Sequence, residues 1–467
     1  MIGGGVATAI DIALRETMLF AAVGILIGGI DDFAVDLVYL ALRATRRVRG
    51  KPPLLADTPI TPPPNPRRIV IFVPAWDESR VIGAMLRTAL ARLDHPDYRL
   101  YVGTYPNDRA TIDAVARVAE TDPRIRLVIG DTPGPTTKGD CLNALWRALR
   151  RDEQYGERAA VAVVLHDAED VVHAAELNIF DRLIGRYATV QLPVLPLIDR
   201  GSPLVAGHYC DEFAESHTKV LVVRTALGAG MPLAGVGCAI SRRALDALAA
   251  ARSGIPFDAA SLTEDYELGL TIARNGGRGA FVRTAESPGG PPVAVRAHFP
   301  ATRGAAVRQK ARWMTGIALA GWDRIGWSRW SDWRDHWMRM RDRRAPLEVL
   351  VLCAAYLSLV LWTGSLGCHA ITGIPARPID AKVRWLLVAN GASMLWRLAM
   401  RALFTGRAYG RREAMLAVPR ALVANIIAML AARRALWLYV RMLFDGVPRW
   451  EKTAHDFPSD IAGTEQR

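Results

Sequence analysis

The amino-acid sequence predicts an α/β domain with a doubly wound, Rossmann-like and mainly parallel sheet, flanked by transmembrane and interfacial helices. Strand-like and helix-like segments alternate between residues 67 and 170, and long apolar stretches lie before residue 50 and after residue 345. Alternating strands and helices are typical of parallel strands joined by crossover helices. Long apolar stretches indicate spans, because a helix needs about 20 residues to cross a bilayer.

Composition favours a membrane protein over a nucleic-acid-binding one. The 467 residues are 51% apolar and carry a net charge of +13, most of it from arginine. Arginine binds phosphate well, but it also accumulates on the cytoplasmic flanks of membrane spans. We therefore expect no nucleic-acid partner. The five cysteines have neither disulfide-framework nor zinc-site spacing, which fits a reducing compartment.

Residues 1–50 are predicted to form an N-terminal transmembrane segment with a basic flank. The purely apolar run, 18–30, is short for a span and must extend past charged residues on one side. Asp31, Asp32 and Asp36 follow it, and carboxylates beside a span need partners unless they lie at the interface. A basic cluster follows, and by the positive-inside rule it indicates a cytoplasmic middle region.

Residues 51–320 are predicted to form the α/β domain, after a proline-rich linker at 59–66. Four segments have the composition of buried strands: RRIVIFVPAW, YRLYVGTYPND, RIRLVIGD and AVAVVLHDAED. Three segments between them have helical periodicity: SRVIGAMLRTALARLDH, ATIDAVARVAETD and GDCLNALWRALRRDEQ. This order predicts a sheet whose ligands bind at the carboxyl ends of the strands.

Residues 321–345 are rich in tryptophan and arginine. Trp327, Trp330 and Trp337 recur at helical spacing with arginines between them, which predicts an amphipathic helix in the headgroup region of a membrane. Stacking on nucleic acid is the less favoured interpretation.

Residues 346–445 are predicted to form C-terminal membrane helices, followed by a tail, 446–467, that contains WEKTAHDFP. Two stretches, 347–367 and 383–404, are long enough to span. The third is interrupted, which predicts a bent or re-entrant segment, or one span plus an interfacial helix; the interrupting residues are Pro419, Arg420, Arg433 and Arg434.

Three carboxylates in HDAED lie at the end of a predicted strand: Asp167, Glu169 and Asp170. Carboxylates at positions i and i+2 can share a hard divalent cation whose other ligands are diphosphate oxygens. A solvated acidic turn is an equally good interpretation of this motif alone. Three further stretches favour a site: AGVGCAISR at 234–242, TED at 263–265 and QKARW at 309–313.

The motifs VPAWDES, HDAED, TED and QKARW occur in the order of the family-2 glycosyltransferases, and the chain resembles the processive inverting members with a GT-A fold. HDAEDVVH, IDDFAVDLVY and WEKTAHDFP resemble the phage-adsorption-protein B branch. The resemblance implies a membrane-embedded inverting transferase that moves a sugar from a UDP-sugar, with UDP-N-acetylhexosamine among the candidates, to a growing polysaccharide. It also implies a bacterial inner-membrane location with the catalytic domain in the cytoplasm.

The resemblance also implies roles for individual residues. Asp167 and Glu169, with Asp170 as a substitute for the second ligand, would hold Mg²⁺ or Mn²⁺ and the donor diphosphate. Asp265 would be the general base, with Glu264 beside it. The donor would be bound by Pro74, Glu78, Asp108 and Lys138, and the acceptor end lined by Gln309, Arg312 and Trp313.

Three of these residues depart from the family pattern or have simpler interpretations. Glu169 stands where the commoner motif has Asp, and Asp108 in TYPND could serve only as a strand-ending turn. Lys138 could be a surface lysine at a helix start.

The expected partners are membrane lipids, the nucleotide-sugar donor, a glycan acceptor, and export, outer-membrane or accessory subunits. Two alternatives remain open: transfer of a single sugar to a lipid-phosphate carrier, and an inactive membrane scaffold. The scaffold predicts loss of the acidic residues, yet Asp167, Glu169, Glu264 and Asp265 are all present.

Overall fold

The computed structural model describes residues 2–52, 54–287, 289–376, 378–445 and 457–458. Most of WEKTAHDFP therefore lies outside the described residues. Phe457, at its end, packs against the core of the α/β domain.

A seven-stranded sheet in the order β3-β2-β1-β4-β7-β5-β8 forms the centre of the described α/β domain. The strands β1, β2, β3 and β4 are parallel neighbours, and β7 is antiparallel to both β4 and β5. The strand bounds are β1 (Ile69–Pro74), β2 (Tyr98–Thr104), β3 (Ile125–Ile129), β4 (Ala162–Leu165), β5 (Thr189–Gln191), β6 (Val194–Pro196), β7 (Cys238–Ser241), β8 (Gly279–Phe281) and β9 (Val295–Ala297). The first four strands confirm the sequence-based prediction.

Helices cover the sheet and extend from both ends of the domain. They are α1 (Ile2–Val48), α2 (Ile82–Arg92), α3 (Arg109–Ala119), α4 (Lys138–Gln154), α5 (Glu176–Leu183), α6 (Gly207–Glu215), α7 (Leu221–Leu227), α8 (Arg242–Ala251), α9 (Glu264–Arg274), α10 (Arg303–Trp313), α11 (Gly321–Ile325), α12 (Trp333–Arg343), α13 (Ala345–Thr372), α14 (Ala381–Tyr409) and α15 (Arg411–Asp445). Two π-helical segments, Ser216–Val220 and Met314–Ala320, join α6 to α7 and α10 to α11.

The residues of β1 alternate between two hydrophobic cores. Ile69, Ile71 and Val73 enter the core that contains α2 and α3, whereas Val70 and Phe72 enter the core that contains α4. Successive strand residues point to opposite faces, so a strand buried on both faces is apolar throughout. A separate two-stranded sheet pairs β6 with β9 in parallel.

Within the described residues, three helices are long and apolar enough to cross a membrane: Gly5–Val48, Ala345–Thr372 and Arg411–Phe444. The N-terminal helix extends past the apolar run 18–30 in both directions, as a span requires. The helix α14 is not among the three, although the sequence predicts a span there.

The acidic residues of α1 have partners, as their position beside a span demands. Asp32 lies within 2.9 Å of guanidinium nitrogens of Arg341, Arg344 and Arg397. Asp36 accepts a hydrogen bond of 2.7 Å from the Trp396 indole and pairs with Lys219. These contacts tie α1 to helices from the other end of the chain.

The prediction of one amphipathic helix over 321–345 is wrong. Helix α11 ends at Gly326, whose φ of +60° suits glycine, and α12 begins only at Trp333. Trp327 and Trp330 therefore lie between helices, while Trp337 lies in α12.

The third C-terminal stretch is one continuous helix, so the predicted re-entrant segment, or span followed by a separate interfacial helix, is wrong; the alternative of a bent span stays a prediction. Helix α15 continues through Pro419. Arg420 is buried: its guanidinium donates to Pro203 O at 2.6 Å, lies 3.1 Å from Asp211 and pairs with Glu413. Buried charge with such partners is compatible with a packed helix.

Candidate active site

The carboxyl ends of β1, β2 and β4 meet at one edge of the sheet because the three strands are parallel neighbours. Pro74 is the last residue of β1, and HDAED follows β4. The parallel register therefore brings motifs that are far apart in sequence to the same edge. This edge is where ligands bind in open α/β sheets.

Beside this edge lies a cavity of about 930 Å³. We call it the carboxylate cavity. The sequence-predicted residues that line it are Lys138, Asp167, Glu169, Asp170, Glu264, Asp265, Gln309, Arg312 and Trp313. Pro74, Glu78 and Asp108 do not line it. The structure thus brings nine of the predicted residues together around one space.

Lys138 joins the two acidic motifs. Its Nζ donates to Asp167 Oδ1 at 2.6 Å and lies 3.9 Å from Glu264 Oε1. The helix that carries it begins with a capping box formed by Thr137 and Asp140. Burial alone would lower the pKa of Lys138, but Asp167, Glu264 and Asp265 raise it well above the usual value. The side chain is a largely buried, paired cation and not the surface lysine of the alternative interpretation.

Glu264 and Asp265 lie in the first turn of α9, and both have raised pKa values. Burial and the neighbouring Asp265 raise the pKa of Glu264 to about 7, against the opposing effect of Lys138. Burial raises the pKa of Asp265, while Lys138 and Arg312 oppose the rise. Adjacent carboxyls that share one environment titrate as a pair. Raised carboxyl pKa values are characteristic of acid–base sites.

Close packing fixes the position of both acids. A side chain at Gly235, whose φ is +77°, would collide with the Asp265 carboxylate. A side chain at Gly316 would come within 2.5 Å of Thr263 Oγ1. Gly235 lies in the stretch AGVGCAISR, and its backbone passes close to Asp265, the predicted base. Gly316 lets the segment after QKARW pack against Thr263 at the start of α9.

The acids of HDAED have different surroundings. Asp170 is buried, and its Oδ2 lies 2.9 Å from His166 Nδ1 and accepts from the Asp167 backbone N–H at 3.0 Å. The other His166 nitrogen lies 2.9 Å from Glu176. Burial would lower the pKa of His166, but Glu176 and Asp170 raise it to about 10. These contacts make Asp170 a residue that positions the turn.

The donor chemistry at this turn fits a divalent cation. In the described part of the chain, no group of three or more His, Cys, Asp or Glu side chains is arranged to hold a metal ion. Asp167 and Glu169 nevertheless both line the cavity, and carboxylate oxygens are ligands that Mg²⁺ and Mn²⁺ prefer. Mg²⁺ is often held by one or two carboxylates together with substrate phosphates.

The QKARW motif is the C-terminal part of α10 and forms another wall of the cavity. Gln309 has a buried side-chain oxygen with no hydrogen-bond partner among the described residues. The Trp313 ring lies edge-on to Tyr209, with 6.1 Å between ring centroids. A buried amide oxygen and an indole face suit a polar ligand with an apolar ring surface.

Asp108 organises the loops beside the cavity. Its side chain caps α3 by accepting from Thr111 N at 3.2 Å, and it accepts from Asp77 N at 2.5 Å. The Thr111 hydroxyl in turn accepts from Glu78 N at 3.0 Å. Asp108 therefore links the loops after β1 and β2, which supports the strand-ending turn interpretation.

Sequence reasoning missed several residues of the site. His217 and His298 also line the cavity, and burial lowers the pKa of His217 to about 3. Lys310 lies 2.6 Å from Glu212. Burial alone would raise the pKa of Glu212, but the positive charge of Lys310 lowers it to about 2. Lys310 is inside QKARW, but only the tertiary structure supplies its partner on α6.

The sheet, the two acidic motifs and the QKARW wall have the arrangement of a glycosyltransferase domain. The family model described as glycosyltransferase like family 2 matches residues 66–316, more than half of the chain. The chain belongs to glycosyltransferase family 2. The sequence-based expectation of the family is confirmed.

The chain is 36% identical to Bacteriophage adsorption protein B of Escherichia coli K12, over 97% of this chain and 63% of that protein. It is equally similar to Bacteriophage N4 adsorption protein B of Escherichia coli O157:H7. The chain thus spans less than two thirds of the length of these relatives.

A solved structure shares the fold. The mannosyltransferase PcManGT from Pyrobaculum calidifontis, in complex with GDP-Man and Mn²⁺, matches with a TM-score of 0.50 and 19% identity. The match covers 89% of this chain and 99% of that one. The α/β domain has the GT-A fold, as the sequence predicts.

Proposed function

We propose that this chain is a membrane-embedded inverting glycosyltransferase that moves a sugar from a UDP-sugar to a growing polysaccharide. We further propose a bacterial inner-membrane location, a cytoplasmic catalytic domain at 51–320, and processive transfer coupled to export. The donor class is UDP-N-acetylhexosamine or a related UDP-hexose. Family membership supports sugar transfer itself.

The contact that carries the proposal is the one between Lys138 and the two acidic motifs. A lysine that lies 2.6 Å from Asp167 and 3.9 Å from Glu264 places a fixed cation between the proposed diphosphate-binding turn and the acidic pair that contains the proposed base. Such a fixed cation stabilises the negative charge that develops on a departing diphosphate. A scaffold without catalysis would not need it.

Asp265 is the proposed general base. Its carboxylate would accept the proton of the acceptor hydroxyl while the hydroxyl oxygen forms a bond to the anomeric carbon. The bond from that carbon to the UDP oxygen breaks, and UDP leaves with the electron pair. A single displacement inverts the anomeric configuration. Glu264 would position Asp265 and set the pH at which it is ionised.

Asp167 and Glu169 are the proposed ligands of Mg²⁺ or Mn²⁺, with Asp170 holding the turn in place through His166. The cation, when bound, would neutralise charge on the donor diphosphate. Lys138 and Arg312 would add fixed positive charge to the same region. Pro74, Glu78 and Asp108 would shape the adjoining loops for the nucleoside.

Gln309 and Trp313 are proposed to bind the acceptor. An indole face stacks on the apolar face of a sugar ring, and the unpartnered Gln309 oxygen can accept a hydroxyl hydrogen bond. The π-helical segment Met314–Ala320 follows Trp313 directly and packs against α15, a candidate membrane span. This arrangement would direct the acceptor toward the membrane helices.

The test is UDP release and product size, measured on the full chain in nanodiscs with a panel of UDP-sugars and Mn²⁺ or Mg²⁺. We compare wild type, Asp265→Asn and the matched control Asp246→Asn, which lies on α8 outside the cavity. We expect polymer with one donor, lost only in Asp265→Asn. A lipid product that carries one sugar would instead support the alternative function, transfer of a single sugar to a lipid-phosphate carrier. If folded protein released no UDP with any donor of the panel, the proposal would be contradicted.

A further inference from the structure

A second cavity, of about 1250 Å³, lies where the C-terminal ends of α1 and α14 meet the α/β domain. We call it the arginine cavity. The two-stranded sheet of β6 and β9 separates it from the carboxylate cavity. Leu195 and Arg296 of this sheet line the arginine cavity, and Val194 and Ala297 line the carboxylate cavity. Register pairs Leu195 with Arg296, so neighbouring positions of β6 and β9 line different cavities.

Five guanidinium groups line this cavity: Arg43, Arg46, Arg283, Arg296 and Arg407. A single carboxylate, Glu286, is among its lining residues, and it lies 3.5 Å from His173. Within the described ranges, none of the five arginines forms an ion pair with a carboxylate. Burial lowers the pKa of Arg283, and nearby Arg43 and Arg407 lower it further. The cavity therefore concentrates positive charge without neutralising it.

The basic flank of a membrane span explains only part of this cluster. Arg43 and Arg46 lie at the end of α1, where positive residues are common beside a membrane. Arg283 follows β8 and Arg296 lies in β9, so both come from the α/β domain. Their convergence with arginines from two helix ends requires the tertiary structure. Arginines that converge without carboxylates are typical of phosphate recognition.

Much of the remaining lining is apolar and includes Leu42, Leu195, Leu197, Ile198, Val222 and Phe404. Two of these residues, Leu42 and Phe404, come from α1 and α14. An anionic lipid would fit both parts of the lining. Its phosphate headgroup would contact the arginines, and its acyl chains would pack against the apolar residues.

We propose that the arginine cavity binds a phosphate- or diphosphate-bearing anion at the junction of the membrane helices and the catalytic domain. The headgroup of an anionic lipid is one source of this chemistry, and a free phosphate compound is the other. The β6–β9 sheet separates the two cavities. A ligand in the arginine cavity would therefore contact the same two strands that line the carboxylate cavity on their other side.

The experiment measures binding to the full chain in neutral detergent with two probes. Native mass spectrometry measures retention of phosphatidylglycerol against phosphatidylcholine, and calorimetry measures binding of inorganic pyrophosphate. Arg283→Gln/Arg296→Gln is compared with the control Arg47→Gln/Arg49→Gln, whose arginines lie at the same helix end but outside the cavity. Arg407→Gln is a third variant at an exposed position, for use if the first pair disturbs folding.

We expect affinity to fall at least about tenfold in the cavity variants, because each lost charge-assisted contact is worth about that much. The control should change less than about twofold, because its arginines do not line the cavity. Loss of phosphatidylglycerol retention identifies a lipid source, and loss of pyrophosphate binding alone identifies a free phosphate source. Equal affinities in cavity variants and control, or no binding of either probe to wild type, would overturn the proposal.

Discussion

Lys138 Nζ lies 2.6 Å from Asp167 Oδ1 and 3.9 Å from Glu264 Oε1. One ammonium group therefore contacts two carboxylates from different elements. Asp167 follows β4, and Glu264 is the first residue of α9. Whatever enters the carboxylate cavity must accommodate this bridge. The predictions below test the bridge, the acids it joins and the packing that holds them.

Replacement of Lys138 by Met removes the cation and leaves Asp167, Glu264 and Asp265 without it. We expect kcat/KM to fall by about 100-fold, the effect of losing one preorganised electrostatic contact to a developing charge. UDP release measures the effect, and Lys382→Met at the exposed start of α14 is the control. Equal activity in the two variants would contradict the assigned role of Lys138.

The pH dependence of kcat/KM should follow the Glu264–Asp265 pair. Burial raises the pKa of Glu264 to about 7 and raises that of Asp265. The base must be ionised, so activity should rise with pH through the range in which this carboxyl pair loses its protons, above the range usual for carboxyl groups. In Glu264→Gln the like charge is absent, and the midpoint should move to lower pH. A flat profile across neutral pH would exclude this pair as the base.

Metal removal tests the turn after β4. Treatment with EDTA should abolish UDP release, and Mn²⁺ or Mg²⁺ should restore it. Asp167→Asn should raise the metal concentration needed for half activity by about tenfold, because one of two protein ligands loses its charge. Unchanged activity in EDTA would show that Lys138 and Arg312 suffice for the diphosphate.

His166→Gln should destabilise the folded protein. His166 is buried, and its two ring nitrogens lie 2.9 Å from Asp170 and 2.9 Å from Glu176, so the variant leaves two buried carboxylates without the imidazolium. Removing one partner of a buried charge pair costs about 3–5 kcal/mol. Thermal unfolding measures the change. His336→Gln should have a much smaller effect, because that ring contacts the Arg329 carbonyl at 2.9 Å and the Trp327 ring but forms no ion pair among the described residues.

Lys219→Met should destabilise the protein more than Asp36→Asn. Lys219 is buried, pairs with Asp36 and lies 2.6 Å from Glu215, so its loss removes the cation nearest to both acids. Asp36→Asn leaves Lys219 paired with Glu215 and retains an acceptor for Trp396, and should cost only about 1–2 kcal/mol. Melting temperatures in one detergent give the order. The reverse order would mean that α1 is anchored by other contacts.

Local patterns were sufficient to predict the first half of the sheet. Strands such as β1 and β4 are apolar on both faces, and the helices between them have caps and periodicity that depend only on nearby residues. The carboxylates of HDAED and TED could be placed at element ends for the same reason. The family resemblance then supplied their roles, and those roles remain proposals for experiment.

Local patterns failed where distant contacts override them. Trp327 and Trp330 repeat at helical spacing, but Gly326 at φ +60° ends α11 before them. Pro419 and Arg420 indicate a break, yet α15 continues through both, and Asp211 and Glu413 neutralise the buried arginine. Glu413 lies about two turns before Arg420 on α15 itself, whereas Asp211 lies on α6 and could not be matched to Arg420 from the sequence.

The sequence by itself determined the α/β class, the acidic motifs and the apolar stretches, because each depends on the order and polarity of neighbouring residues. The tertiary structure alone decided that Lys138 bridges Asp167 and Glu264, that Asp170 pairs with His166, and that arginines from helix ends and domain meet in one cavity. Parallel strand register and helix packing bring these residues together, and both are set by the burial of the whole chain.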